Sequence, residues 1–368
     1  MQIDDKDITF LVHGPDINNI TNKCISKISQ IFPSSPIIFS TWDDSSIKKY
    51  PNCLTIINKD PGAEFYNCPK NSYICMSDER KREYILHNKH FIVYPKYNNI
   101  NRMLTTIKSA ISLVKTPYVC KIRSDLILKN KHFLAYWDKY SVRDKSYSIF
   151  EHRILNNNLY AQYAHVMDEG IQFLPFHISD WFMFGFTQDV EKLFSCKYLS
   201  LEDASHYWEK HKRKNFDPFE DALWRYPPEE YIFYSIIKEY HPNIKFSDSD
   251  DYNAINMQQS NKFIINNFVM LDSDQIKFKL SKYPNEFNYD ECIYRGLITH
   301  REWQWLYRTY CDASYKFFSL DYKRIMAALR IACISPLKSF KWLKGCFSKN
   351  ILHRYFKETL LFDEVSHE

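Results

Sequence analysis

Four acidic side chains stand where apolar runs end or begin: Asp125 in VCKIRSDL, Asp180 in SDWFMFG, and Glu229 with Glu230 in PPEEY. A carboxylate just past a buried strand can ligate a divalent cation that bridges phosphates, because magnesium and manganese prefer hard oxygen ligands and need few from the protein. It can equally cap the following turn or pair with a cation, and Arg123 lies two residues before Asp125, on the same face of an extended strand. Across a bound substrate, a carboxylate can instead take a proton as a general base. Asp180 competes for that task with Glu229 and Glu230. The glutamates also suit a plain helix start, since Pro227 and Pro228 precede them and an apolar stripe follows.

Other groups capable of binding follow the same placement. His13, Gly14 and Pro15 end one apolar run, and Thr41, Trp42, Asp43 and Asp44 end the next. Ser124 sits between Arg123 and Asp125. Arg102, with Asn98, Asn99 and Asn101, falls at the start of a helical pattern, where exposed N–H groups and a guanidinium favour anions; the asparagines can also simply cap that helix. His300 ends a short apolar run in GLITHREWQW, and His177 precedes Asp180 by three residues; each can be a ligand or a packed ring.

The elements that must position these residues alternate as parallel β with crossover helices. ITFLVHGP, SPIIFSTWDD and CLTIINKDP read as strands, and NKCISKISQIF as a helix. In NNINRMLTTIKSAISLVK, Leu104, Ile107, Ile111 and Val114 recur at spacings of three and four, giving one apolar stripe on a helix that leads into the strand carrying Asp125. That βαβ rhythm predicts an α/β fold. Ligands of open α/β sheets bind beyond the carboxyl ends of the strands, where His13, Gly14, Pro15, Thr41, Trp42, Asp43, Asp44, Arg123, Ser124 and Asp125 fall. Neither G-x-G-x-x-G nor G-x-x-x-x-G-K-[ST] follows the first strand, which removes most of the case for dinucleotide and P-loop binding. From about residue 130 the chain becomes aromatic-rich and less regular. Gly185, inside the apolar run after Asp180, suggests a close backbone approach to a ligand.

Composition bounds the class. Across 368 residues, 45% hydrophobic and 17% aromatic side chains with only six glycines describe a globular chain. The net charge of +5 is too diffuse for a nucleic-acid footprint. Ten cysteines without a C-x-x-C pair read as buried thiols in a reducing compartment. Neither a basic-then-apolar leader nor 18 successive apolar residues occur, so the expected location is cytoplasmic. From Lys323 to Lys357 nine cations alternate with Leu337, Phe340, Leu343 and Phe347 with no acid between, a pattern suited either to an anionic membrane surface or to a solvated helix face.

Taken in order, FLVHGP, STWDD, NNINRMLTT, VCKIRSDL and SDWFMFG resemble the GT-A-fold, sugar-nucleotide-dependent glycosyltransferases, and among these the WavE lipopolysaccharide-synthesis family. The resemblance spans roughly residues 7 to 310. It implies a GT-A-like, Rossmann-related mixed sheet flanked by helices, with a nucleotide-sugar-binding half (1–130), an acceptor-binding half of the same domain (131–319) and a basic helical tail (320–368). It implies transfer of a sugar from a nucleotide-sugar donor to a lipopolysaccharide or capsular glycan or glycolipid, by inversion, on the inner face of the inner membrane.

By that resemblance the donor is held by His13, Gly14, Pro15, Thr41, Trp42, Asp43, Arg102, Arg123, Ser124 and Asp125. Glu230 or Glu229 is the base, Asp180 binds a hydroxyl, and a divalent metal (manganese or magnesium) is held by Asp125 with His300. RSD carries one acid where many relatives of the fold have two, which leaves Arg123 as a candidate to supply positive charge in place of a metal. A nucleotidyltransferase of sugar activation and a nucleic-acid-binding protein using the tail are the alternatives. The first lacks a glycine-rich loop after its first strand, and the second leaves the strand-end acids unused.

Overall fold

The structure is a computed structural model that describes residues 3–42, 50–61, 98–166, 171–213, 224–280 and 296–317. Its first strands are the predicted apolar runs: β1 (Ile8–His13), β2 (Ile37–Trp42), β3 (Cys53–Asn58) and β4 (Tyr118–Arg123). β1 is buried at every position, as a strand covered on both faces must be. Each large apolar side chain sunk in this way contributes about 1.5–3 kcal/mol. β5 (Leu126–Leu128), β6 (Ile154–Asn157), β7 (Ala164–Val166), β8 (Ile171–Phe173), β9 (Phe182–Phe186), β10 (Phe268–Leu271) and β11 (Phe278–Leu280) follow.

Seven of these form one sheet, in the order β10-β6-β9-β4-β1-β2-β3. β1 pairs in parallel with β2 and β4, β2 with β3, and β10 with β6, whereas β9 runs antiparallel to both β4 and β6. The sheet is therefore mixed, and it runs without a break across residue 130. The expected α/β mixed sheet flanked by helices is present; the basic tail lies outside the described residues. β5 pairs with β11, and β7 with β8, in two small antiparallel ribbons.

Helices cover both faces. α1 (Asn18–Ile31) packs on one, where Phe32, just past its end, meets Phe10 with ring centroids 4.7 Å apart. α2 (Ile100–Ile111) covers the other, burying Leu104, Ile107 and Ile111 as the stripe predicts, with Ser109 Oγ 3.2 Å from Ser40 Oγ on β2. On that second face α3 (Thr187–Leu193) lies over β9 and β4, and α4 (Pro228–Tyr240) packs against α3. α4 starts as PPEEY predicts, with proline in its first turn. α5 (Ala254–Asn267) and α6 (His300–Tyr310) close the end beside β10. α6 begins with a reciprocal capping box between Thr299 and Glu302.

Gly185 departs from expectation. A Cβ there would meet Ile154 Cγ1 at 3.2 Å and Val190 Cγ2 at 3.5 Å, so its close approach is to the core between β6 and α3 and not to a ligand. Among the described residues Cys24, Cys53, Cys120, Cys196 and Cys311 are free thiols, and no helix is long and apolar enough to cross a membrane.

Candidate active site

The parallel strands end on one edge of the sheet, and β9, being reversed, begins there. His13 pairs with Arg123 at the ends of β1 and β4, and the Arg123 N–H donates to Trp181 O at the start of β9 (3.2 Å). Parallel partners point to the same face, so His13, Lys121 and Arg123 share the face covered by α2, α3 and α4.

The turns after β1 and β4 are bound to each other. Ser124 N–H donates to His13 O (2.9 Å), and Ser124 Oγ donates to Pro15 O (2.8 Å). Gly14 takes φ +122°, and a Cβ on it would lie 3.0 Å from Ser124 Oγ, so a side chain at this position is opposed by both conformation and space. His13, Gly14, Pro15 and Ser124 thus form one connected surface.

Arg123 is held from two sides. Its Nε and Nη2 donate to the two carboxylate oxygens of Asp125 at 3.0 and 2.8 Å, and the guanidinium lies 4.0 Å from the centroid of the Trp181 ring. Pairing with the neighbouring cation, one of the alternatives open for Asp125, is the arrangement seen. Asp125 is 2% exposed while Arg123 is 26% exposed, so the cation and not the acid faces outward.

His300, the expected co-ligand, lies buried at the first residue of α6. One ring nitrogen is 2.7 Å from Met270 O and the other 2.8 Å from Tyr140 Oη, and the His300 backbone N–H donates to Asp272 Oδ1. Both His300 ring nitrogens thus have partners of their own, and Asp125 is turned to Arg123, so in this structure the two are engaged with other groups. Among the described residues no three His, Cys, Asp or Glu side chains group to hold a metal ion.

α4 delivers its glutamates to different places. Glu230 is fully buried, with no hydrogen-bond partner for either carboxylate oxygen among the described residues, and lies towards Asp248 and Tyr226. Glu229 keeps some contact with solvent and faces Asp180, Arg123 and Lys121. Loss of water around Glu229, with the Asp180 charge beside it, pushes its carboxyl up to about 8, while Arg123 and Lys121 pull the other way. His13 is held well below the ordinary imidazole range by burial first and then by Lys121 and Arg123, so it is a neutral ring. Asp180 has a buried Oδ1 with no hydrogen-bond partner among the described residues.

The remaining expected donor residues lie along the β2 and β3 ends. Thr41 is buried and its carbonyl accepts from Asn58 Nδ2 (2.7 Å). Trp42 lies under Arg102, 5.5 Å from ring centroid to guanidinium carbon. Arg102 is engaged by Asp60 through Nε (2.8 Å) and Nη2 (2.7 Å), and by Asn99 (3.2 Å). Asn98 and Asn101 bond to backbone within 199–204 and at the start of α2, as capping and tethering groups. Asp43 lies outside the described residues. An open depression of about 570 Å³ at the far end of the sheet, lined by Asp4, Asp5, Lys6 and Lys131, contains none of these groups.

Two site residues were passed over in the sequence. Lys121 interrupts the apolar run of β4 two residues before Arg123, which is the signal that it shares that face. Trp181 follows Asp180 directly, but only the reversal of β9 puts its ring on Arg123.

The strand ends of this α/β sheet thus gather a guanidinium, a neutral imidazole and a carboxyl pair. The family profile described as WavE lipopolysaccharide synthesis matches residues 8–81 and 90–334, and the chain belongs to that family. Among solved structures, one described as a transferase mutant is 10% identical over 69% of this chain and 94% of its own, with a TM-score of 0.25, too low to carry an argument. No curated protein matches the sequence.

Proposed function

We propose that this protein is a glycosyltransferase that moves a sugar from a nucleotide donor to a lipopolysaccharide or capsular glycan with inversion. What carries the reading, in a chain of the lipopolysaccharide-synthesis family, is the convergence of Arg123, Asp180 and Glu229 where β1 and β4 end and β9 begins.

The donor's diphosphate lies over the joined turns of Gly14, Pro15 and Ser124, beside Arg123. Asp125 and Trp181 fix the guanidinium, which offsets the charge that develops as the bond between the anomeric carbon and the diphosphate breaks. The electron pair leaves with the diphosphate. The acceptor hydroxyl, oriented by Asp180, forms the new bond from the opposite side and gives its proton to Glu229. Glu229 is preferred to Glu230 because Glu230 is shut away from solvent. The basic segment 323–357 brings the enzyme to an anionic leaflet where a lipid-linked acceptor is held, which sedimentation with and without anionic vesicles, using the full chain and residues 1–319, tests.

The test of the main reading is nucleotide release by the purified protein offered UDP-, GDP- and CMP-sugars, with and without manganese. Release from one donor, lost in Arg123→Gln, is expected. Neither binding nor turnover of any of them overturns the reading.

A further inference from the structure

Tyr160 stands at a position that its residue type does not suit. It lies in the turn that leaves β6, where the Ala161 N–H donates to Asn158 O (3.2 Å), and it takes φ +58°. Left-handed backbone in a turn favours glycine or asparagine, because a Cβ crowds the carbonyl that follows, and a bulky ring there is uncommon. The turn is pinned on both sides: the Asn158 N–H donates to Leu271 O (2.9 Å), and the Ile298 N–H donates to Ala161 O (2.8 Å). These bonds close the turn without the Tyr160 side chain. What the ring touches is therefore the place to look for its use.

The ring stacks on Trp181, with centroids 5.3 Å apart and planes 29° apart. Trp181 is 5% exposed, and the Arg123 guanidinium lies 4.0 Å from the centroid of the same indole. Hydrogen bonds hold the Trp181 main chain, its N–H to Ser179 Oγ (3.3 Å) and its O to the Arg123 N–H (3.2 Å). The indole plane itself is met by the Tyr160 ring and by the guanidinium. Arg123 gives Nε and Nη2 to Asp125, which fixes one edge of the guanidinium, and the indole face limits its swing out of that plane. A column of four groups, Tyr160, Trp181, Arg123 and Asp125, thus runs from the turn after β6 to the end of β4.

We propose that Tyr160 is a positioning residue of this site: stacked on Trp181, it fixes the ring against which the Arg123 guanidinium lies, and so couples the turn that opens the segment from Asn158 to Trp181 to the cation at the strand end. The inference rests on the glycosyltransferase reading for what Arg123 does, but not for how Arg123 is held. A tyrosine in place of glycine gives up some ease of the backbone, and the stack is what it supplies in return.

The experiment reads the Arg123 Nε–H signal by NMR in the full chain, assigned by its loss in Arg123→Gln, together with kcat and KM for the donor. A guanidinium over an indole face carries an upfield ring-current shift. Tyr160→Gly suits the turn and removes the ring. In it the Arg123 signal is expected to move downfield, and kcat to fall by about tenfold or more, since slight misplacement of a group that acts in the transition state is costly. The donor KM should stay within about threefold, and Tyr160→Phe, which keeps the stack, should hold signal and rate within about twofold of the unmodified protein. An unmoved Arg123 signal in Tyr160→Gly overturns the proposal whatever the activity, and a moved signal with unchanged kcat overturns it too. A moved signal in a protein that releases nucleotide from no donor supports the hold on Arg123 and overturns the glycosyltransferase reading instead. Should Tyr160→Gly not fold, Tyr160→Asn, whose side chain also tolerates this backbone, decides by the same outcomes.

Discussion

Two buried basic side chains, one just ahead of β6 and one on β4, have opposite surroundings. Arg153, 1% exposed at the start of β6, donates from Nε to Ile265 O (2.7 Å), from Nη1 to Tyr140 O (2.8 Å) and from Nη2 to Val142 O (2.7 Å). Lys121, 0% exposed on β4, has the Phe194 ring near its Nζ and no hydrogen-bond partner among the described residues. Two buried imidazoles divide in the same way. His300 has a partner at each ring nitrogen, whereas neither nitrogen of His13 has a hydrogen-bond partner among the described residues. Saturated polar groups hold loops together and resist change. Unsaturated ones, gathered where strands end, are arranged for something other than stability, because each is unfavourable to the fold alone. The Arg153 and His300 region has the character of scaffold, and the Lys121 and His13 region that of the proposed site.

Substitutions should sort along that line. Glu229→Gln should lower kcat by about a thousandfold, within the span of lost general-base catalysis, and leave the melting temperature nearly unchanged; a variant with full turnover removes Glu229 from the reaction. Because Glu229 must be ionised to accept a proton and is pushed up to about 8, the wild-type rate should climb between pH 7 and 9. A rate already level at pH 6 would show another group to be the base.

Arg153→Met should do the reverse, destabilising the protein by about 3–5 kcal/mol in urea titration because two buried carbonyls and one part-buried carbonyl lose their donors. Unchanged stability would erase the distinction between the regions.

Glu230→Gln tests a mixed case, a buried carboxyl on the site's own helix. Burial raises the Glu230 carboxyl well above its ordinary value, with Glu229 and Asp248 adding to the rise. The folded state therefore keeps a proton that the unfolded chain releases. Stability from this group is full below the unfolded carboxyl range and is lost as pH rises toward the folded value. The wild type should fall behind the glutamine variant by up to about 1.4 kcal/mol per pH unit above that range, seen as diverging melting curves between pH 5 and 8. Parallel curves would mean that Glu230 is already satisfied.

Arg102→Gln should have the smallest effect. The Arg102–Asp60 pair is part-exposed, with side chains 22% and 26% accessible, so its loss should change stability by less than about 1 kcal/mol. A donor KM raised more than about tenfold would instead return Arg102 to the phosphate-binding role its sequence position suggests.

The parallel half of the fold was legible because buried parallel strands are long apolar runs and α2 carries a clean stripe. β9 was visible as a strand, but nothing local encodes its direction, and that direction decides which side chains meet Arg123. Residues 229 and 230 are adjacent on a helix and differ by roughly 100° in orientation, so the sequence offers both glutamates without choosing. Lys121 was readable by counting back two from Arg123; the apolar neighbours Cys120 and Ile122, which point to the opposite face, drew attention away from it. His300 stands inside the capping-box pattern THRE, a helix-start signal that accounts for its place better than a ligand role.

The reversal of β9 has a further consequence. Its neighbours leave the sheet at the edge where it enters, so the chain from Asn158 to Trp181 departs from that edge and returns to it. Such a segment is moored at both ends beside the candidate site and takes no part in the register of the seven-stranded sheet. Its length can change over generations without moving a single rung of that sheet, so the fold carries a place beside the strand ends that variation can reshape while the sheet beneath it stays fixed.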